Sequence, residues 1–170
     1  GEWHELVGDL FEAYEAGSPF DRASAEILPP IAPSKIVAVG LNYRDHAAEM
    51  GKALPNEPLI FLKPPSAVIG PEDAIVIPFG SGRVDHEAEL GIVMRRTARR
   101  VSAECAHDYV LGLTCVNDVT DRDLQARDVQ YTRGKGFDTF APIGPAIAVG
   151  LDGSALDVES SVNGERRQGS

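Results

Sequence analysis

Cysteine is nearly absent: Cys105 and Cys115 are the only two in 170 residues. They offer no C-x-x-C spacing and no pairing pattern, which reads as two reduced thiols of a cytoplasmic protein rather than a disulfide framework. Long apolar runs are missing as well, since no stretch nears the ~18 residues of a membrane-spanning helix. The opening GEWHELVGDL lacks a basic start and an apolar centre, so it does not read as a signal peptide. It also lacks an initial Met, which suggests a processed start or residues that precede this chain. Positive charge is in short supply, with 16 Lys and Arg against 26 Asp and Glu and a net charge of −10. Such a balance repels a phosphate backbone and an anionic membrane surface, excluding nucleic acid and membrane as partners. It leaves carboxylates to spare for a cation. A small acidic substrate would need local basic groups or a metal to be held at all.

What is present is ordinary for a globular protein: 43% hydrophobic and 25% charged residues, enough chain for one domain and a short leader. Leu6, Leu10, Phe11 and Tyr14 recur at helical spacing until Gly17-Ser18-Pro19 breaks the pattern. The Pro-rich stretch PPIAPS at 29–34 closes this N-terminal prelude, residues 1–34, and the main domain runs over 35–170. Strands are expected at Ile36–Leu41, Leu59–Leu62, Ala74–Ile77, Glu87–Met94, Val110–Val116 and Ala146–Val149. Another is expected at Val158–Val162, before the hairpin signal Asn163-Gly164. Helices are expected over Tyr43–Met50, over Ala103–Tyr109 behind Ser102, and over Asp121–Val129 behind Thr120 as N-cap. Strands outnumber helices, so the fold class is α+β, mostly β. The chain stops at Ser170 where the return strand of the last hairpin should be running, which predicts further chain beyond it.

Four constellations carry chemistry. In DHEAELGIVM (85–94) alternation puts Glu87 and Glu89 on one face, roughly 7 Å apart, and Ala88, Leu90, Ile92 and Met94 on the other, the expected core face. By themselves two such acids also suit a solvated strand. Asp118, in NDVTDRDLQ at the end of the apolar run 110–116, supplies a third carboxylate. Three carboxylates with positions left for water suit Mg²⁺, Mn²⁺ or Ca²⁺, and the lack of a Cys–His cluster argues against zinc. Arg122 and Gln125 share a helix face, and Arg122 could clamp a substrate carboxylate bidentately or form a surface ion pair.

In GLNYRDHAAE (40–49), His46 and Glu49 stand i, i+3 on the expected helix, an arrangement suited to activating water or to an exposed pair. In RGKGFDTF (133–140), glycines on both sides of Lys135 permit close approach of backbone to a ligand, or simply a bend, without Walker spacing. Lys63 closes the strand at 59–62 and is the other lysine, of four, in a motif-like setting. His86 flanks the acid strand, and His107 reads as a surface residue.

The segments KIVAVGLNYRDHAAE, PLIFLKPPSAVIG, DHEAELGIVM, YVLGLTCVNDVTDRDLQ, KGFDTFAPIGP and VNGERRQ, in that order, resemble the fumarylacetoacetate hydrolase family. The likeness is to its acylpyruvase-like and 2-hydroxyhepta-2,4-diene-1,7-dioate isomerase-like branch. It implies a rolled β-sheet with short helices, a homodimer and a divalent metal, Mg²⁺ or Mn²⁺, with Ca²⁺ as a substitute. By the same resemblance Glu87, Glu89 and Asp118 are the metal ligands, and His46 and Glu49 the lid pair that activates water. Lys135, Arg122, Gln125, Lys63 and Tyr43 would meet the substrate or its developing oxyanion. The family's T-G-T-P-x-G turn has no counterpart here, and Val39 stands where the eukaryotic fumarylacetoacetate enzymes carry a fourth acid. The substrate class implied is a small 2-oxo acid, with reaction through a metal-stabilised enolate. Hydrolysis of an acylpyruvate C–C bond is the leading expectation. Isomerisation of a hydroxydienedioate in aromatic catabolism, decarboxylation of an oxaloacetate-type acid, and an inactive metal-binding module are the alternatives.

Overall fold

The computed structural model describes residues 1–43, 51, 53 and 55–170. Beyond Tyr43, the helix expected to Met50 lies outside the described residues, and so do His46 and Glu49. The described chain is mostly β. It begins with β1 (Trp3–Gly8), β2 (Tyr14–Phe20), β3 (Ile36–Gly40), β4 (Leu59–Lys63) and β5 (Val68–Ile69). It continues with β6 (Val84–Asp85), β7 (Ala88–Met94), β8 (Val110–Asn117) and β9 (Thr120–Asp121). The last strands are β10 (Ala141–Pro142), β11 (Ala148–Val149), β12 (Glu159–Val162) and β13 (Glu165–Gly169). The α-helices among the described residues are short, Arg122–Arg127 and Thr132–Lys135. The stretch Ala103–Tyr109 is a 3₁₀ helix.

Where the apolar spacing of the N-terminal prelude predicts a helix, the chain forms a hairpin, and its one helical turn is the 3₁₀ turn Arg22–Ser24. β1 and β2 pair antiparallel, Trp3 opposite Phe20 and Gly8 opposite Tyr14. Turn chemistry overrides the four-residue apolar spacing. Gly8 adopts φ +112°, and the Asp9 carboxylate accepts from the Phe11 amide at 2.8 Å. The Asp9 amide donates across to the Ala13 carbonyl at 3.0 Å. The Trp3 and Phe20 rings then meet edge to face. The strand expected at Ala74–Ile77 is irregular. It lies between Pro71 and Pro78, and its Val76 amide donates to the Thr139 hydroxyl at 2.8 Å instead of to a ladder.

The site is built on β7 and β8, which pair antiparallel from Ala88 opposite Asn117 to Ile92 opposite Leu113. β11 covers the other edge of β8. β3 pairs with β4, and the pleat of β4 turns Phe61 and Lys63 inward while Ile60 and Leu62 face out. Phe61, Val93, Leu111, Leu113, Val119, Phe140 and Ile143 form the centre of the core. Fully burying Phe140 contributes about 2 to 3 kcal/mol.

On β7 the expected core face fails at its far end, while Ala88 and Leu90 are half-buried like Glu87 and Glu89. Val93 is 5% exposed, whereas Ile92 and Met94 are 59% and 46% exposed. Glu87 and Glu89 share the alternation of the buried Val93, and buried lysines beside Glu87 and Asp118 make an acidic face tolerable there. At the far end, Asn163 and Gly164 take φ +53° and +81°, the left-handed pair of a tight hairpin joining β12 to β13, as their dipeptide predicts.

Candidate metal centre

Strand register brings the acids together. Ala88 at the start of β7 faces Asn117 at the end of β8, so Asp118 emerges beside Glu87. The Asp118 amide donates to the Glu87 carbonyl at 2.9 Å, and the Glu87 amide donates to the Asn117 side-chain oxygen at 3.0 Å. One carboxylate oxygen from each of Glu87, Glu89 and Asp118 lies within 4.8 Å of the other two. The donors are all hard carboxylate oxygens, a set that fits an oxygen-preferring divalent ion. They border a cleft of about 850 Å³ whose walls include Arg122, Gln125 and Lys135.

Among the described residues, three cations brace the acids. The Lys135 ammonium donates to Glu87 Oε2, Asp118 Oδ2 and the Thr120 hydroxyl, each at 2.7 Å, so its three protons are engaged by protein groups. Thr120 in turn donates to the Asp118 carbonyl at 2.9 Å. Lys63, 2% exposed, donates to Asp118 Oδ1 at 2.6 Å and to the carbonyls of Lys135 and Val119. Arg122 sends Nε to Asp85 at 2.8 Å and Nη1 to Glu87 at 2.6 Å and Gln125 at 2.8 Å.

Burial pushes the Glu89 carboxyl from 4.5 up to about 7, and the charges of Glu87 and Asp118 add to the rise. Burial also lowers the Lys63 ammonium, against the pull of Asp118. Burial opposes the charged Arg122 guanidinium too, yet its bond to Asp85 and the charge of Glu87 raise it overall. Tyr43 is raised first by burial. Glu89, Arg122 and Tyr43 line one cleft, and perturbed groups gathered in a cleft mark a candidate functional site.

One predicted role changes: the Lys63 side chain is 1% exposed and its three protons are spent on protein oxygens, so it lies behind the cleft and braces Asp118 instead of meeting the substrate. Of the two roles open to Arg122, a bidentate fork or an ion pair, the structure shows the ion pair, with Nε and Nη1 committed to protein partners. The helix N-cap is Asp121, whose Oδ1 accepts from the Leu124 amide at 3.0 Å, while Thr120 is fully buried under Lys135. The glycines around Lys135 serve packing. A Cβ on Gly134 would stand 3.0 Å from the Asp121 carbonyl oxygen and 3.1 Å from the Gln125 nitrogen. His86 borders a separate, mainly apolar hollow. Asp85, through Arg122, and Thr120, through Lys135, also belong to the site, and no local sequence pattern marks them.

Residues 35–170 match the family model described as fumarylacetoacetate (FAA) hydrolase C-terminal. A 5-carboxymethyl-2-hydroxymuconate delta-isomerase from Mycobacterium smegmatis is 42% identical, with a TM-score of 0.89 over 98% of this chain and 65% of that one. The maleylpyruvate hydrolase from Sphingobium sp. SYK-6, in complex with manganese(II) and pyruvate, is 34% identical, with a TM-score of 0.74 over 90% of this chain and 54% of that one. An uncharacterized protein of Archaeoglobus fulgidus is 51% identical over 95% of this chain and 64% of its own length. The chain thus spans roughly half to two thirds of the length of these relatives.

Proposed function

Because the chain belongs to the fumarylacetoacetate hydrolase family, we propose that the whole protein is a divalent-metal-dependent enzyme of 2-oxo acids that hydrolyses a C–C bond of an acylpyruvate. The convergence of Glu87, Glu89 and Asp118 within 4.8 Å carries this reading. These three residues would hold Mg²⁺ or Mn²⁺. When bound, the ion supplies Lewis acidity to the oxygens of a 2-oxo acid. That joins an acidic substrate to a protein of net charge −10.

The chain's own groups do the remaining work. Lys135 keeps positive charge next to the acids, where negative charge develops on the pyruvate fragment as the bond breaks. Arg122 and Gln125 shape the cleft wall, and Arg122 retains Nη2 as a donor to the substrate. His46 and Glu49 are assigned, on their spacing, the deprotonation of water. Hydroxide attacks the distal carbonyl, the C–C bond to the pyruvate methylene breaks, and a proton returns to that carbon. The products are pyruvate and a carboxylic acid.

Isomerisation of a hydroxydienedioate is the second reading, favoured by the isomerase at 42% identity against the hydrolase at 34%. Assays of the full-length protein with acylpyruvates, oxaloacetate and hydroxydienedioates, with Mg²⁺ or Mn²⁺, separate the readings. Turnover of acylpyruvates supports the first, and turnover confined to hydroxydienedioates selects the second. Undiminished activity in excess chelator overturns the metal dependence of both. Calorimetry with oxalate, a mimic of a 2-oxo acid, distinguishes an enzyme site from a bare metal-binding module, because only the enzyme site takes up oxalate when metal is present.

A further inference from the structure

The two glutamates of the triad are joined by a single residue, Ala88, so the backbone there sets how far apart their carboxylates stand. β8 pairs with one edge of β7, and among the described residues no strand pairs with the other. The Ala88 amide finds its acceptor in a side chain, the Gln168 oxygen, at 2.9 Å. The Ser160 hydroxyl donates to the same oxygen at 3.0 Å. Gln168 stands on β13 beside a bulge. Ser161 faces Arg166 and Ser160 faces Gln168, so Arg167 is an extra residue, and Gln168 takes the place opposite Ser160 that Arg167 would otherwise hold. Two residues along β7, the Leu90 amide likewise donates to a side chain, the Tyr43 hydroxyl, at 2.9 Å. Side chains thus take the place of a neighbouring strand on both sides of Glu89.

We propose that Gln168 is a positioning residue of the metal centre, which holds the Ala88 peptide so that Glu87 and Glu89 present their carboxylates at the spacing a divalent ion needs. This rests on the metal-binding reading of the triad. Two like charges on one face push apart, and a strand edge without a partner yields to that push by twisting. The Glu87 amide is fixed by the Asn117 side chain at 3.0 Å and the Ala88 amide by Gln168, so the link between the glutamates resists it. Gln168 is uncharged and leaves the attraction for the cation to the acids. Groups behind the ligands of a metal contribute typically about 10–100-fold to its affinity, and Gln168, acting through a peptide, belongs at the lower end.

Titration of the full-length protein with Mn²⁺, followed by the loss of the free-ion paramagnetic resonance signal, tests this without turnover. Gln168→Met keeps the length of the side chain and removes its oxygen. It should weaken Mn²⁺ binding about 10-fold and alter the resonance spectrum of the bound ion at saturation. Gln168→Glu restores an acceptor oxygen, so it should bind Mn²⁺ at least as tightly as wild type and give the wild-type spectrum. Gln168→Asn keeps the amide but falls one methylene short of Ala88, and it provides the test, with the same expected loss, if Gln168→Met does not fold. A role confined to anchoring the hairpin would lower the urea midpoint of Gln168→Met and leave both affinity and spectrum unchanged, and that result overturns the proposal. Equal losses in Gln168→Met and Gln168→Glu overturn it too. A wild-type protein that binds no Mn²⁺ overturns the metal site itself, a different failure with a different signature.

Discussion

Lys63 and Asp118 form an ion pair of 2.6 Å with side chains only 1% and 8% exposed. A buried pair of this kind is costly to break, because removing one partner leaves the other desolvated. The penalty is typically about 3 to 5 kcal/mol. Lys135 still faces Asp118 from the other side, so the lower part of that range applies. Lys63→Met should therefore lower the urea midpoint markedly while leaving KM at saturating metal nearly unchanged. A raised KM with intact stability would place Lys63 against the substrate after all.

Glu89 makes the metal site sensitive to pH. Its carboxyl titrates at about 7 in the folded protein, above its ordinary value of 4.5, so the folded chain holds that proton more tightly than the unfolded chain. The stability this group contributes is present below pH 4.5 and is lost as pH rises through 7. In the metal-free protein, Glu89→Gln should melt above wild type at pH 8 and close to it at pH 4.5. An ion must displace the same proton, so Mn²⁺ affinity should fall up to about tenfold per pH unit below 7. Affinity that is flat from pH 5.5 to 8 would contradict this.

Arg122 connects the rim of the cleft to its acids through Asp85. Asp85 is held below the usual carboxylate range chiefly by Arg83, with Arg122 reinforcing the effect. Arg122→Lys cannot reach Asp85, Glu87 and Gln125 at once, because a point charge replaces a fork. It should lose much of the effect of arginine on kcat/KM, roughly 10-fold or more by analogy with other lost charge-assisted contacts. A double-mutant cycle of Asp85→Asn with Arg122→Met should give a coupling of about 0.5 to 3 kcal/mol in stability. Additive effects would show that Asp85 does not position the guanidinium.

The parts of the site that were readable in the sequence are those set by local periodicity. Glu87 and Glu89 are two apart on an extended chain, and Arg122 and Gln125 are three apart on a helix, so their shared faces follow from backbone geometry. Lys63 was readable as a candidate but not in its role. Which face of β4 turns inward depends on its pairing with β3, and only the fold shows that Phe61 and Lys63 point the same way. Asp85 and Thr120 acquire meaning from partners 37 and 15 residues away in the chain, beyond the reach of any short pattern. The core face of β7 is illegible for a related reason: alternation identifies two faces but does not say which is enclosed, and here Val93 is buried while Ile92 and Met94 are exposed. The N-terminal hairpin escaped because four apolar residues fit a helical period as readily as a strand pair, and the turn at Gly8 and Asp9 decides between them.

Gly134 offers a test whose sign separates packing from propensity. In an exposed helix, replacing glycine by alanine stabilises by about 1 kcal/mol, since alanine loses less backbone freedom on folding. Gly134 lies in the turn Thr132–Lys135, buried against the helix Arg122–Arg127. Its new methyl group would meet the Asp121 carbonyl oxygen at 3.0 Å and the Gln125 nitrogen at 3.1 Å, both of them backbone atoms that cannot swing aside. Gly134→Ala should therefore destabilise, by about 1 to 3 kcal/mol, as an overpacked site does. The neighbouring Lys135 should be displaced with the turn, loosening its 2.7 Å bonds to Glu87 and Asp118 and changing Mn²⁺ affinity along with stability. Urea unfolding and Mn²⁺ titration of the same variant read both effects. An alanine variant more stable than wild type would mean that the two helical turns have room between them, and that the glycine is not what lets Lys135 reach the acids.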